Sequence, residues 1–206
     1  MMRLKLISDL SITITLIMAI YLKIQKRVEK DFSSFVLFIF IASCFTCLQM
    51  LSEIFFDNNL WLCHLYTPIE GAFLSYFMLY QIDKNKALAA GILIWLVCQS
   101  VDLGFSGFES TEILASIIEY VLLIIAAIPT IIEIYRSNLK FPLINYKFLI
   151  SLTILMYALI SLTSTLLMFS NLFAGYIIYA ATSLLINLFF AIALGIGAKE
   201  CPSRQQ

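Results

Sequence analysis

Seven apolar stretches, separated by short polar connections, run along the whole chain. They span Leu6–Ile24, Ser33–Phe55, Leu60–Ile82, Ala87–Gly104, Glu112–Tyr135, Lys147–Phe169 and Leu172–Ala198. Each is close to the ~20 residues a helix needs to cross a ~30 Å hydrocarbon core. The pattern predicts a helix in each stretch, because lipid offers no partner to a bare backbone amide. No stretch shows the two-residue alternation of an outer-membrane strand. The expected fold class is therefore all-α: a polytopic integral membrane protein, one seven-helix bundle over residues 1–206.

The polar connections give the bundle a direction. The first holds Lys23, Lys26, Arg27 and Lys30, the third Lys84 and Lys86, the fifth Arg136, Lys140 and Lys147. The tail adds Lys199 and Arg204, whereas the second, fourth and sixth connections hold no lysine or arginine. Eleven basic residues thus fall on one side against two, Arg3 and Lys5, on the other. The positive-inside rule then predicts an outside N-terminus and a cytoplasmic C-terminus. The opening MMRLKLISDL resembles the start of a signal peptide, but the apolar run reaches Ile24 with no small-residue cleavage site. A retained first span is expected, in a bacterial inner (plasma) membrane.

Composition agrees and removes several function classes. Hydrophobic residues make up 62% of the 206 and charged residues 13%, against about 25% charged in soluble domains. Net charge is zero and no basic face exists, which excludes nucleic acid as a partner. Of the five cysteines, four lie inside apolar stretches, so they read as small buried residues and not as a disulfide framework. Cys44 and Cys47 are expected to pack between helices, and Cys201 is a weak acylation candidate. One histidine in the whole chain excludes a His-rich zinc or haem site. No lysine lies inside the last stretch for a retinal Schiff base. No cofactor and no metal are expected, and no catalytic motif marks an enzyme.

The polar residues inside the stretches carry the candidate chemistry. At 1.5 Å per residue, Glu70 lies roughly 15 Å into the third span and Glu119 roughly 10 Å into the fifth. An acid at mid-bilayer costs roughly 2.5–3.5 kcal/mol on insertion scales. Asp9, Gln49, Glu53, His64, Glu70, Gln99, Asp102 and Glu119 all fall in the expected outer half or at the midplane. One reading is an outward polar pocket, with Glu70, His64, Glu119, Gln99, Asp102 and Tyr66 as its ligand- or proton-binding candidates. The other is interhelical hydrogen bonding together with solvated interfacial residues. Pro68 is expected to kink the third span and free a carbonyl near Glu70. The stripes Tyr157, Ser161, Ser164 and Tyr176, Tyr179, Ser183, Asn187 read as helix-packing positions.

The run Tyr66-Thr67-Pro68-Ile69-Glu70, followed by Leu74-Ser75-Tyr76-Phe77, resembles a pattern in small uncharacterised bacterial seven-span proteins. The stretches LTILMYALISLTSTLLMFSN and LLINLFFAIAL resemble their sixth and seventh spans. That family is similar to the membrane-sensing modules of signalling proteins, here with no attached kinase. The resemblance implies a sensory, receptor-like module whose output passes through a cytoplasmic or membrane signalling partner or a homo-oligomer. Beside it stand transport of a small solute, coupled to protons through Glu70 or Glu119, and a lipid-directed intramembrane enzyme.

Overall fold

The computed structural model describes residues 2–24, 30–55, 60–80, 91, 93, 96, 97, 99–101, 104, 113–137, 145–169 and 173–200. Asp102, Cys98, Cys201 and the loop residues Lys26, Arg27, Lys84, Lys86 and Lys140 lie outside this set, as do the side chains of Asp9, Glu53, Cys63, Tyr176 and Tyr179. Among the described residues every element is a helix: α1 (Met2–Ile24), α2 (Lys30–Phe55), α3 (Leu60–Tyr80), α4 (Ile113–Arg136), α5 (Tyr146–Phe169) and α6 (Phe173–Glu200). The described positions between 91 and 104 are also helical. These helices coincide with the apolar stretches, since a continuous apolar run without internal turn residues has no other way to satisfy its amides.

Local chemistry fixes the ends. Asn145 caps α5, its Oδ1 accepting from the amides of Lys147 (2.9 Å) and Phe148 (3.1 Å), which satisfies two of the first-turn donors. Arg136 ends α4, where a cation complements the helix dipole. Four helical segments are long and apolar enough to cross a membrane: Phe35–Ser52, Ser116–Arg136, Tyr146–Met168 and Ala180–Gly197. Large apolar side chains point outward from them and from α1, among them Ile17, Phe55, Ile125 and Leu188, each more than half exposed. Such a surface suits lipid and would drive association in water.

Each helix packs on the next, and α6 packs back on α1, so the six helices close into a ring. Contacts give the directions. Gly71 and Met78 of α3 meet Glu119 and Thr130 of α4, so these two run parallel. Ser11 and Met18 of α1 meet Asn187 and Gly195 of α6, another parallel pair. Phe35, Phe38 and Phe45 of α2 meet Phe77, Phe73 and Tyr66 of α3 in reverse order, so that pair is antiparallel.

The ring is filled differently at its two ends. Where α3 and α6 finish, Phe35, Leu74, Met78, Ile150, Ile154 and Leu194 are fully buried. Phe35 is the wedge, with ring centroids 5.3 Å from Phe77 and 5.1 Å from Phe190. Thr130, Ser151 and Thr153 are buried beside this core, and toward the other end lie the buried amide, imidazole and carboxyl groups of Gln99, His64 and Glu119 with Ser52, Ser161 and Ser164. Between α1 and α6, Asn187 Nδ2 donates to Ser11 Oγ (2.7 Å) and Thr15 Oγ1 to the Asn187 carbonyl (2.8 Å). Asn187 thus packs helices together, as its place in the seventh-span stripe suggests.

Cys44 and Cys47 correct one expectation. Both are exposed on the outside of α2, not packed between helices. Three residues apart they do share one face, but burial on this helix belongs to Phe35, Phe38, Ile39, Ala42 and Ser43. The side of a helix that faces the ring is set by which large side chains interlock there, and spacing alone leaves it open.

Candidate functional site

Glu70 sits on α3 two residues after Pro68, partly buried. Its carboxylate accepts hydrogen bonds from the side chains of Tyr157 and Tyr66. Tyr66 lies one turn earlier on the same helix, at the spacing that stacks side chains on one face. Tyr157 comes from α5, beyond α4 in the ring order. Its ring stands edge-on to Tyr120 of α4, centroids 5.8 Å apart at 88°. Two helices, α3 and α5, therefore meet at one carboxylate, with Tyr120 of α4 packed behind.

Glu119, next to Tyr120, is buried against the same turn of α3. A methyl group placed on Gly71 would lie 3.1 Å from Glu119 Oε1 and 3.4 Å from its carboxyl carbon. A larger residue there would need the Glu119 side chain to shift by a few tenths of an ångström. The two acids thus approach one stretch of α3 from adjacent positions, Glu70 as a side chain and Glu119 from across the seam. No lysine or arginine occurs between Lys30 and Lys84, Lys86 and Arg136, or Lys147 and Lys199. The phenols of Tyr66 and Tyr157 neighbour Glu70.

His64 and Gln99 are also buried, and their contact has a specific cause. Proline has no N–H, so the carbonyl four residues before Pro68 loses its helical donor. That carbonyl is His64's, and Gln99 Nε2 donates to it at 2.9 Å. The freed carbonyl expected from Pro68 is thus present, and a neighbouring segment satisfies it. Gln99 acts here as a mortise for the kinked helix. Gln99→Leu should cost about 1–3 kcal/mol, the usual penalty of a buried carbonyl left without a donor. Denaturant unfolding in mixed micelles checks this. Adding Pro68→Ala, which restores the missing N–H, should return most of the loss.

Of the sequence candidates, the structure brings Glu70, Tyr66 and Glu119 to one turn of α3, with His64 and Gln99 a turn or so away. Asp102 lies outside the described residues. Tyr157, Tyr120 and Gly71 join the cluster although the sequence marked none of them as a site residue. Tyr157 was legible only as part of the Tyr157, Ser161, Ser164 stripe. Nothing along the chain says that this stripe points at an acid 87 positions earlier.

Among the described residues no group of three or more His, Cys, Asp or Glu gathers as a metal site. The arrangement suits reversible capture of a positive charge or a hydrogen-bonding ligand, since an ionised carboxylate only accepts and a phenol both donates and accepts. No family model, no curated protein and no solved structure matches the chain, so the meaning of this cluster rests on its own chemistry.

Proposed function

We propose that this chain is a small seven-span bacterial inner-membrane protein with a receptor-like, sensory role. Its polar cluster, built around Glu70, Glu119, Tyr66 and Tyr157, opens toward the outside and takes a small ligand, a cation or a proton. The observation that carries this reading is the Glu70 carboxylate held by tyrosines from two helices, in a stretch from Lys30 to Lys84 that holds no lysine or arginine between those two. An intramembrane acid with that environment is a functional residue by default.

Two further features support the topology. Parallel packing of α3 and α4 requires the intervening chain to return to the starting side, as a fourth crossing would. The positive-inside distribution supports an outside position for the end that holds Glu70 and Glu119. At the other end Phe35, Met78, Ile150 and Leu194 are fully buried beside the equally buried Thr130, Ser151 and Thr153. Output then passes through a cytoplasmic or membrane partner, or through a second copy of the chain. The run Tyr66–Glu70 resembles a pattern in small bacterial seven-span proteins, some of which resemble sensing modules, and this supports the same reading.

The test is thermal unfolding in lipid nanodiscs against a panel of sodium, potassium, small amines, amino acids and stepped external pH. At least one condition should raise the melting temperature of the native protein, and Glu70→Gln, which keeps shape and one acceptor, should abolish that rise. A shift of equal size in Glu70→Gln removes Glu70 from the site. Pumping of any panel member into sealed vesicles would transfer the assignment to transport.

A further inference from the structure

One face of α5 carries hydroxyls that lead away from Glu70. At about 100° per residue, Ser161 and Ser164 lie within about 40° of Tyr157 around the helix axis. They follow it one and two turns toward the end of the bundle that holds His64 and Gln99. Ser161 is buried to 2% exposure and Ser164 to 0%. Buried hydroxyls elsewhere bond back to their own helix. Ser43 donates to the Ile39 carbonyl, Thr130 to Ala126, Thr153 to Leu149 and Thr182 to Ile178, all at 2.7–2.8 Å. Ser164 does not: its Oγ is buried with no hydrogen-bond partner among the described residues. Ser52 and Ser151 share that condition, but Ser52 belongs to α2 and Ser151 sits about 120° around α5 from Tyr157. In the opposite direction along the Tyr157 face the next hydroxyl is Thr153, already bonded to Leu149. The face is thus open to hydrogen bonding on one side of Tyr157 only. A buried hydroxyl without a protein partner is a seat for an ordered water.

We infer that the species taken up at Glu70 is the proton, and that it arrives along the Ser164–Ser161–Tyr157 face of α5. The inference deepens the sensory reading of the same cluster and rests on it, choosing one among its ligands. A hydroxyl both donates and accepts, so a chain of hydroxyls and ordered water passes a proton while its heavy atoms stay in place. The helix rises about 6 Å from Tyr157 to Ser161 and about 4.5 Å from there to Ser164. Each step is comparable with the ~5.6 Å that one water spans through two hydrogen bonds. Tyr157 donates to Glu70. As it gives its O–H proton to the carboxylate it accepts another from the Ser161 side, so the phenol is unchanged and the carboxylate becomes a neutral carboxyl. Packing selects against a larger ligand on this route. Ser164 is fully buried, and Gly175 of α6 closes on its carbonyl, where a methyl would lie 2.9 Å away. A sodium ion would need an opening there, whereas exchange of hydrogen bonds needs none. The titratable groups about Glu70 are Tyr66 on α3, Tyr157 on α5 and, across the seam, Glu119 and Tyr120 on α4. His64 lies less than two turns away on α3, and from α2 the rings of Phe38 and Phe45, which do not titrate, pack on this part of α3.

Infrared difference spectroscopy of the full chain in lipid nanodiscs follows the neutral carboxyl directly. Acidification by a flash-released caged proton should raise a carboxylic C=O band that Glu70→Gln abolishes. Ser164→Val should slow the rise of that band by roughly 10²-fold, the lower end of what one positioned proton-transfer group contributes, and leave its final amplitude unchanged. Ser164→Thr matches valine in shape but restores the hydroxyl, so it should keep the native rate. Ser164→Ala repeats the loss of the hydroxyl without added bulk. Ser151→Ala removes an equally buried and unpartnered hydroxyl from another face and should change nothing. Native rates in both Ser164→Val and Ser164→Ala mean that Glu70 meets water directly, and they overturn the route. Equal slowing in Ser164→Thr or in Ser151→Ala overturns it as well. A melting shift with sodium, potassium or an amine that Glu70→Gln abolishes, with no Glu70 band at any pH, sinks the proton and leaves the site standing. A band slowed in Ser164→Val, with no Glu70-dependent melting shift under any condition, sinks the receptor reading and leaves the route.

Discussion

Glu70→Ala should destabilise the bundle by roughly 2–6 kcal/mol, the largest loss expected from any polar position. Two half-buried phenols lose this acceptor at once, and the loss of a buried hydrogen bond costs roughly 1–3 kcal/mol. Unfolding by denaturant in mixed micelles reads the loss directly. Glu70→Gln should cost far less, because its amide oxygen still accepts. The sharper readout is a double-mutant cycle with Tyr157→Phe. Removing the phenol first removes part of the penalty, so the two changes should combine to less than their sum. Additive losses would mean that the pair stands apart in the folded protein. Glu70 would then be a solvated acid whose truncation harms the helix for other reasons.

Phe35→Ala should cost about 3 kcal/mol, at the low end of the range for removing a buried aromatic side chain. Phe35 is buried to 1% exposure, with rings of Phe38, Phe77 and Phe190 around it at 5.1–6.2 Å. In water, part of such a loss is the transfer term. In a bilayer the separated helices keep their side chains in hydrocarbon, so lost packing and the cavity dominate. The same unfolding assay checks the size, and Phe35→Leu should recover most of it. Phe35 touches both α3 and α6, so its loss should loosen α2 against both. A loss below about 1 kcal/mol would mean that neighbours collapse into the void, as some sites do.

The chain's own letters determined the helices. Leucine, isoleucine and phenylalanine in runs of membrane length leave the backbone one way to satisfy itself, and every described helix lies where such a run predicts it. Pro68 likewise announced a freed carbonyl, because it acts within one turn of chain. Glu70 and Glu119 stood out for a similar reason: the cost of an acid in hydrocarbon depends on depth, and depth follows from counting residues.

Only the tertiary structure decided who meets whom. Whether the Tyr157 stripe turned to α3 or to lipid depended on how six helices share one interior, and helical spacing is blind to that rotation. The same rotation put Cys44 and Cys47 outside, against the expectation drawn from their apolar surroundings. It also set Gly71 beside Glu119, a contact no local pattern encodes, because the space a missing side chain leaves becomes visible only when another helix fills it. In a membrane, inside and outside of a bundle are equally apolar, so hydrophobicity finds the helices and close packing assigns their faces.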